Sequence, residues 1–230
     1  MDLSIITYAV PFLLVGAKTT LLIALFGVGL GLPFGILLAT ARTSQVGTIR
    51  RCADFYCAVF RGTPMLVQIF VIYYGFAQIG FIRHNAILWW LIGDSLHAAV
   101  LAVILNTGAY TAEIFRTALL SLPRGLIEAA EACGMSPWVI FQRIKFPLAL
   151  RQALPSYSTE VAVIVKESSL ASTITVLEIT GHAKRLMSET FAIMEIFVIT
   201  AVFYLVINVV CLTALNVIER RLSFEPHFAR

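Results

Sequence analysis

Long uncharged stretches alternate with short polar passages along this chain. Thr19 to Ala41, Gly62 to Ile82, Ser95 to Ala112 and Ile196 to Val217 contain no Asp, Glu, Lys or Arg. Each approaches or exceeds the roughly 20 apolar residues that a helix needs to cross a bilayer. A fifth stretch, Leu154 to Ile179, is apolar overall but holds Pro155, Glu160, Lys166, Glu167 and a run of Ser and Thr. A charge at the centre of a membrane helix costs roughly 2.5–3.5 kcal/mol, so this stretch must face protein or a water-filled cavity. The pattern predicts one all-α integral membrane domain over residues 1–230. Its spans fall at about 17–41, 56–82, 95–115, 154–178 and 194–218, about five transmembrane helices in all. Gly27, Gly31 and Gly35 recur every four residues in the first span and predict a groove for a closely packed neighbour.

The longest polar passage, 121–150, lies between the third and fourth spans. Glu128 to Cys133 is built of good helix formers, and Gly134 is the residue type that ends helices. Ser136 followed by Pro137 predicts a new N-cap with proline in the first turn. Trp138, Val139, Phe141 and Ile144 then follow at near-helical spacing with Gln142, Arg143 and Lys145 between them, and Pro147 is expected to close the segment. The prediction is a short amphipathic helix, held on a glycine turn and presented to water.

Composition supports a polytopic membrane protein: 59% of residues are apolar, 13% are charged, and mean hydropathy is +0.88. The net charge of +4 reflects basic residues at membrane edges, and no basic run interleaved with aromatics suggests nucleic acid. Cys52, Cys57, Cys133 and Cys211, like His84, His97, His182 and His227, lack metal-ligand spacing, so no metal site is assigned. No phosphate-binding loop is present to hold a nucleotide.

Two groups of polar residues stand out inside the spans. Asn106, Tyr110 and Glu113 share one helical face; they form either a polar seam or a wall of a transport path. Glu160 and Glu167 also share a face. Glu160 pairs either with a substrate ammonium or with a basic residue of another helix.

The passage Glu128-Ala129-Ala130, Gly134, Ile144 and Phe146-Pro147, in that register, resembles the EAA loop of ABC-importer permeases, with Phe146 where that family usually has Leu. Phe60-Arg61-Gly62-Thr63-Pro64 with Gln68, the stretch Gly108 to Arg116, Leu154 to Val161 and Lys166 to Leu170 resemble passages of polar amino-acid, histidine-type and opine-type permeases. The resemblance covers about residues 12 to 222. It implies a type I ABC importer permease fold in a bacterial inner membrane, moving a polar or basic amino acid or an opine. Its implied partners are a dimer of cytoplasmic ATP-binding subunits, a second permease subunit (a paralogue or another copy) and a periplasmic amino-acid-binding protein. ATP and Mg would be bound by the ATPase, so this chain itself would carry no cofactor and no catalytic residue. Under that resemblance Glu128 would bond a basic residue of the ATPase and Gly134 would permit the turn. The apolar face of Trp138, Phe141 and Ile144 would fill the ATPase groove.

Charge asymmetry gives an orientation. Loops 42–51 and 116–151 and the tail carry three, five and three basic residues, against only Arg83, Lys184 and Arg185 on the other side. Basic loops stay cytoplasmic, which places the amino terminus in the periplasm and the carboxyl terminus and the 121–150 passage in the cytoplasm. The alternatives are a stand-alone ion-coupled transporter or channel, and a membrane enzyme using Glu113 or Glu160. The second of these lacks a nucleophile–base pair.

Overall fold

Helix α1 (Leu3–Arg42) is the axis on which the other elements assemble. It starts well before residue 17, because the apolar stretch ahead of Gly16 is itself helix-competent and continues the same cylinder. In this computed structural model, which describes residues 3–222, the remaining helices are α2 (Gly47–Gly62), α3 (Met65–Phe70), α4 (Gly80–His84) and α5 (Ala86–Ile92). After them come α6 (Ser95–Leu120), α7 (Arg124–Ala132), α8 (Pro137–Ile140), α9 (Phe146–Glu167), α10 (Ile179–Thr190) and α11 (Ile193–Leu222). His227 lies outside the described residues.

The glycine repeat of α1 finds its partner in α6, which lies against it over most of its length. Gly27 faces Val103, Gly31 faces Thr107 and Gly35 faces Thr111, so both helices advance four residues at a time in the same direction. A Cβ added at Gly31 would sit 2.7 Å from the Thr107 methyl, so the close approach depends on the missing side chain. Between lipid-solvated helices this backbone proximity supplies the van der Waals contact that replaces a hydrophobic driving force.

Among the described residues, three helices are long and apolar enough to cross a membrane: α1, α6 and α11. The second expected crossing is not the straight rod that the pattern over 56–82 predicts. The chain bends by 106° between α2 and the helical stretch Met65–Gln78. Proline 64 lacks the N–H that would continue α2, and Thr63 adopts an extended conformation at the break. The fourth expected crossing is likewise interrupted. Helix α9 ends at Glu167, a tight 3-10 stretch runs from Ser168 to Ile174, and Thr175 turns with a positive φ of 71°.

Between the third and fourth crossings, α7 and α8 form the projecting corner that the sequence predicts, with one difference. Pro147 does not close the segment. It lies in the first turn of α9, and the π-type turn Phe141–Lys145 joins α8 to α9 without a break. Pro147 cannot donate to a carbonyl four residues back, and the backbone widens just ahead of it. The Phe146 N–H accordingly reaches the Phe141 carbonyl, five residues back. The corner is thus one end of the same helical run as α9, mechanically continuous with it.

Candidate functional site

Gly134 makes the corner. It has φ +77°, with open space where a Cβ would stand, so the backbone conformation alone demands glycine there. The Gly134 N–H donates to the Glu131 carbonyl (2.9 Å) and the Met135 N–H to the Ala130 carbonyl (3.2 Å), which satisfies the end of α7. Ser136 then caps α8, its Oγ accepting from the Val139 N–H at 3.5 Å. Glu128 and Ala129 are exposed, while Ala130 is buried. Trp138 stands out with 68% of its surface free, and its ring stacks on Phe141 at 6.0 Å. Phe141 and Ile144 are half-buried, and Ile140 points inward with 2% exposure. The corner therefore offers a carboxylate on α7 and an aromatic surface on α8, fixed relative to each other by one glycine.

The two polar groups of the spans separate. Asn106 on α6 is buried against Gln68 of α3 and serves the bend. Its Nδ2 donates to Gln68 Oε1 (2.9 Å), and Gln68 Nε2 donates to the carbonyls of Phe60 (2.7 Å) and Thr63 (3.0 Å). Those are backbone acceptors orphaned by the break at Pro64, supplied here by a side-chain amide. Gln68→Leu is expected to lower stability by about 1–3 kcal/mol, the cost of leaving buried acceptors without donors. Thermal unfolding of the purified variant measures it, and an unchanged midpoint would mean that water takes over the role.

Glu113 is fully engaged. One of its oxygens accepts from Arg42 (2.7 Å) and Arg61 (2.6 Å), and the other from Arg116 (3.3 Å). Arg42 also reaches Asp54 at 2.7 Å, and the Arg61 guanidinium lies 5.8 Å from the Tyr110 ring. The cluster ties the ends of α1, α2 and α6 together beside a cavity of about 370 Å³ between α6 and α9, lined by Glu113, Gln152 and Ser156. Glu160 and Glu167 are not part of it. Both are half-buried on α9, and no hydrogen bond or ion pair holds either among the described residues.

One further carboxylate has no counterpart in the sequence reading. Glu178 is wholly buried and caps α10, accepting from the N–H groups of Thr180 (2.9 Å) and Gly181 (2.8 Å). The hydroxyl of Tyr204 on α11 also donates to it, and Thr20 on α1 lies at 3.5 Å. It pins three helices at one point. Its only sequence signal is an acidic residue ahead of the first turn of α10.

Residues 31–224 match the family described as the binding-protein-dependent transport system inner membrane component. The chain belongs to this family. Among its relatives is the octopine transport system permease protein OccM of Rhizobium radiobacter. The two are 46% identical over 207 residues, which make up 90% of this chain and 84% of that protein. The glutamine transport system permease protein GlnP of Escherichia coli is 37% identical over 222 residues, 96% of this chain and 98% of that one. Among solved structures, a chain from the crystal structure of an amino acid ABC transporter with histidines superposes with a TM-score of 0.85 at 31% identity. That superposition covers 96% of this permease and 99% of the other chain. The permease is thus a multi-pass inner-membrane component with the ABC importer permease fold, in a family that works with binding-protein and ATPase partners.

Proposed function

We propose that this permease carries a polar or basic amino acid, or an opine, across the inner membrane into the cytoplasm, using ATP hydrolysed by a separate subunit. The observation that carries the reading is the α7–α8 corner. An exposed carboxylate and an exposed indole project on a glycine turn from a helix that runs without interruption into the membrane. In this reading Glu128 bonds a basic residue of the ATPase, and Trp138 and Phe141 fill a groove on it. Movement of the ATPase dimer is then delivered to α9 through the turn Phe141–Lys145. The orientation follows the basic loops, with the corner and the carboxyl terminus cytoplasmic. The bundle itself has two states, and nucleotide biases one of them. Asn106, Tyr110 and Glu113 set the shape of the permease; Glu160 and Glu167 face the path. A second permease subunit, a paralogue or another copy, completes the channel, and a periplasmic binding protein delivers the substrate.

Octopine, glutamine and histidine, named with the relatives above, define the substrates to try. Co-reconstitution of the permease with its ATPase and binding protein into vesicles, with labelled amino acids inside the binding-protein compartment, tests the reading. Uptake is expected only with ATP on the ATPase side. Uptake that persists without the ATPase and follows an ion gradient would replace this mechanism with a stand-alone transporter.

A further inference from the structure

Helix α2 carries an apolar row that no other element covers among the described residues. Arg51, Phe55 and Val59 lie at i, i+4 and i+8, and Phe55 is 71% exposed. The row leads to a cavity of about 310 Å³ in the bend at Thr63–Pro64, lined by Val59, Phe60, Thr63, Val67, Val71 and Leu105. Its surface is almost wholly apolar, because the Gln68 amide is turned onto the backbone carbonyls of Phe60 and Thr63. A zwitterionic amino acid would find nothing there to bond.

The row has one charged end. Of the arginines at this end of the bundle, Arg42, Arg61 and Arg116 are ion-paired with Glu113, and Arg42 also with Asp54. Arg50 and Arg51 are exposed and make no ion pair among the described residues. The spacing also fits a lipid. From Arg51 to Val59 is about 12 Å along the helix at about 1.5 Å per residue. The cavity begins there and continues past the bend. A leaflet contributes about 15 Å, half of a hydrocarbon core roughly 30 Å thick. The cavity lies level with Leu105 and Asn106, midway along α6 (Ser95–Leu120), which places it near the bilayer centre.

We propose that Arg50, Arg51 and the cavity at the bend form a binding site for one anionic phospholipid. The headgroup phosphate sits on the arginines, and one acyl chain follows Phe55 and Val59 into the cavity. The proposal rests on the orientation given above, which makes this the cytoplasmic leaflet. An acyl chain in the cavity fills the inner side of the bend, and so resists its closure.

The test uses the assembled transporter in nanodiscs containing phosphatidylglycerol or phosphatidylcholine, each with a photoreactive group midway along one acyl chain. Attachment sites are mapped by peptide mass spectrometry. Label is expected at Val59 to Val71, stronger with phosphatidylglycerol, and Arg51→Gln is expected to reduce that preference about fivefold, the effect of one basic residue at a membrane surface. Val59→Trp, which fills the cavity, is expected to remove the label beyond Val59 while the charge preference at Arg51 survives. Equal labelling by both lipids, unchanged in Arg51→Gln, would reduce the site to ordinary boundary lipid and overturn the proposal. So would an absence of label there combined with crosslinking of Val59→Cys to a neighbouring subunit, which would give the groove to protein. Lipid attachment is read independently of transport, so a negative result here leaves the importer reading to its own test.

Discussion

Replacing Gly134 with valine is expected to abolish most ATP-driven uptake while leaving the permease inserted in the membrane. Gly134 has φ +77°, and nothing lies within 4 Å of where its Cβ would be, so valine meets no clash. It meets only the left-handed conformation itself, which costs an L-residue about 1–2 kcal/mol and a β-branched one at least that. The turn that holds α7 against α8 then falls to about a tenth of its population, and the apparent affinity of the ATPase for the corner falls in proportion. Gly134→Asn is the control, because asparagine tolerates this region of φ; it should retain most uptake. Glu128→Lys tests the other half of the contact by reversing an exposed charge without touching the turn. It should also uncouple hydrolysis from uptake. If the valine variant transports as well as the asparagine variant, the geometry of the turn is not what couples the subunits.

Glu113→Gln is expected to produce a large loss of stability. Arg42 has a side chain only 10% exposed, and Glu113 is one of its two acidic partners. Removing one member of a buried pair leaves the other charge desolvated, at roughly 3–5 kcal/mol. Glu113 itself keeps 27% exposure, which brings the expectation to the lower end, about 3 kcal/mol. Arg185 and Glu189 form the comparison, an exposed pair at 2.9 Å on α10. Glu189→Gln should change stability by about 0–1 kcal/mol at most. Thermal unfolding in one detergent, run on both variants, reads the difference. Equal midpoints would show that water reaches Arg42 freely and that the cluster does not hold the ends of α1, α2 and α6.

Local chemistry explains why some features were readable from the sequence. The Gly134 turn, the Ser136 cap and the Gly27–Gly31–Gly35 groove each depend on residue types whose behaviour is set within a few positions. The structure realises all three. Features that depend on distant partners were not readable. Glu113 shares a helical face with Asn106 and Tyr110, yet its role follows from Arg42 and Arg61, which lie 71 and 52 residues away. Asn106 likewise serves a bend 38 residues earlier through Gln68. The 106° bend at Pro64 was not readable either, because the Gln68–Asn106 bracing that sustains it joins positions 38 residues apart. Pro147 misled because proline usually ends a helix; here a widened turn absorbs the missing N–H and the helix runs on. That difference bears on mechanism, since it makes the corner a lever on α9 and not a detached loop.

The most direct test of the central claim uses a residue already in place. Cys133 is exposed at the end of α7, one position before the turn. With the other exposed thiol removed as Cys52→Ser, a membrane-impermeant maleimide is applied to right-side-out and inverted vesicles, with and without the ATPase subunit. The account predicts labelling of Cys133 only in inverted vesicles, and protection once the ATPase is bound. Labelling in right-side-out vesicles would place the corner in the periplasm, beyond the reach of any ATP-hydrolysing partner, and would contradict it.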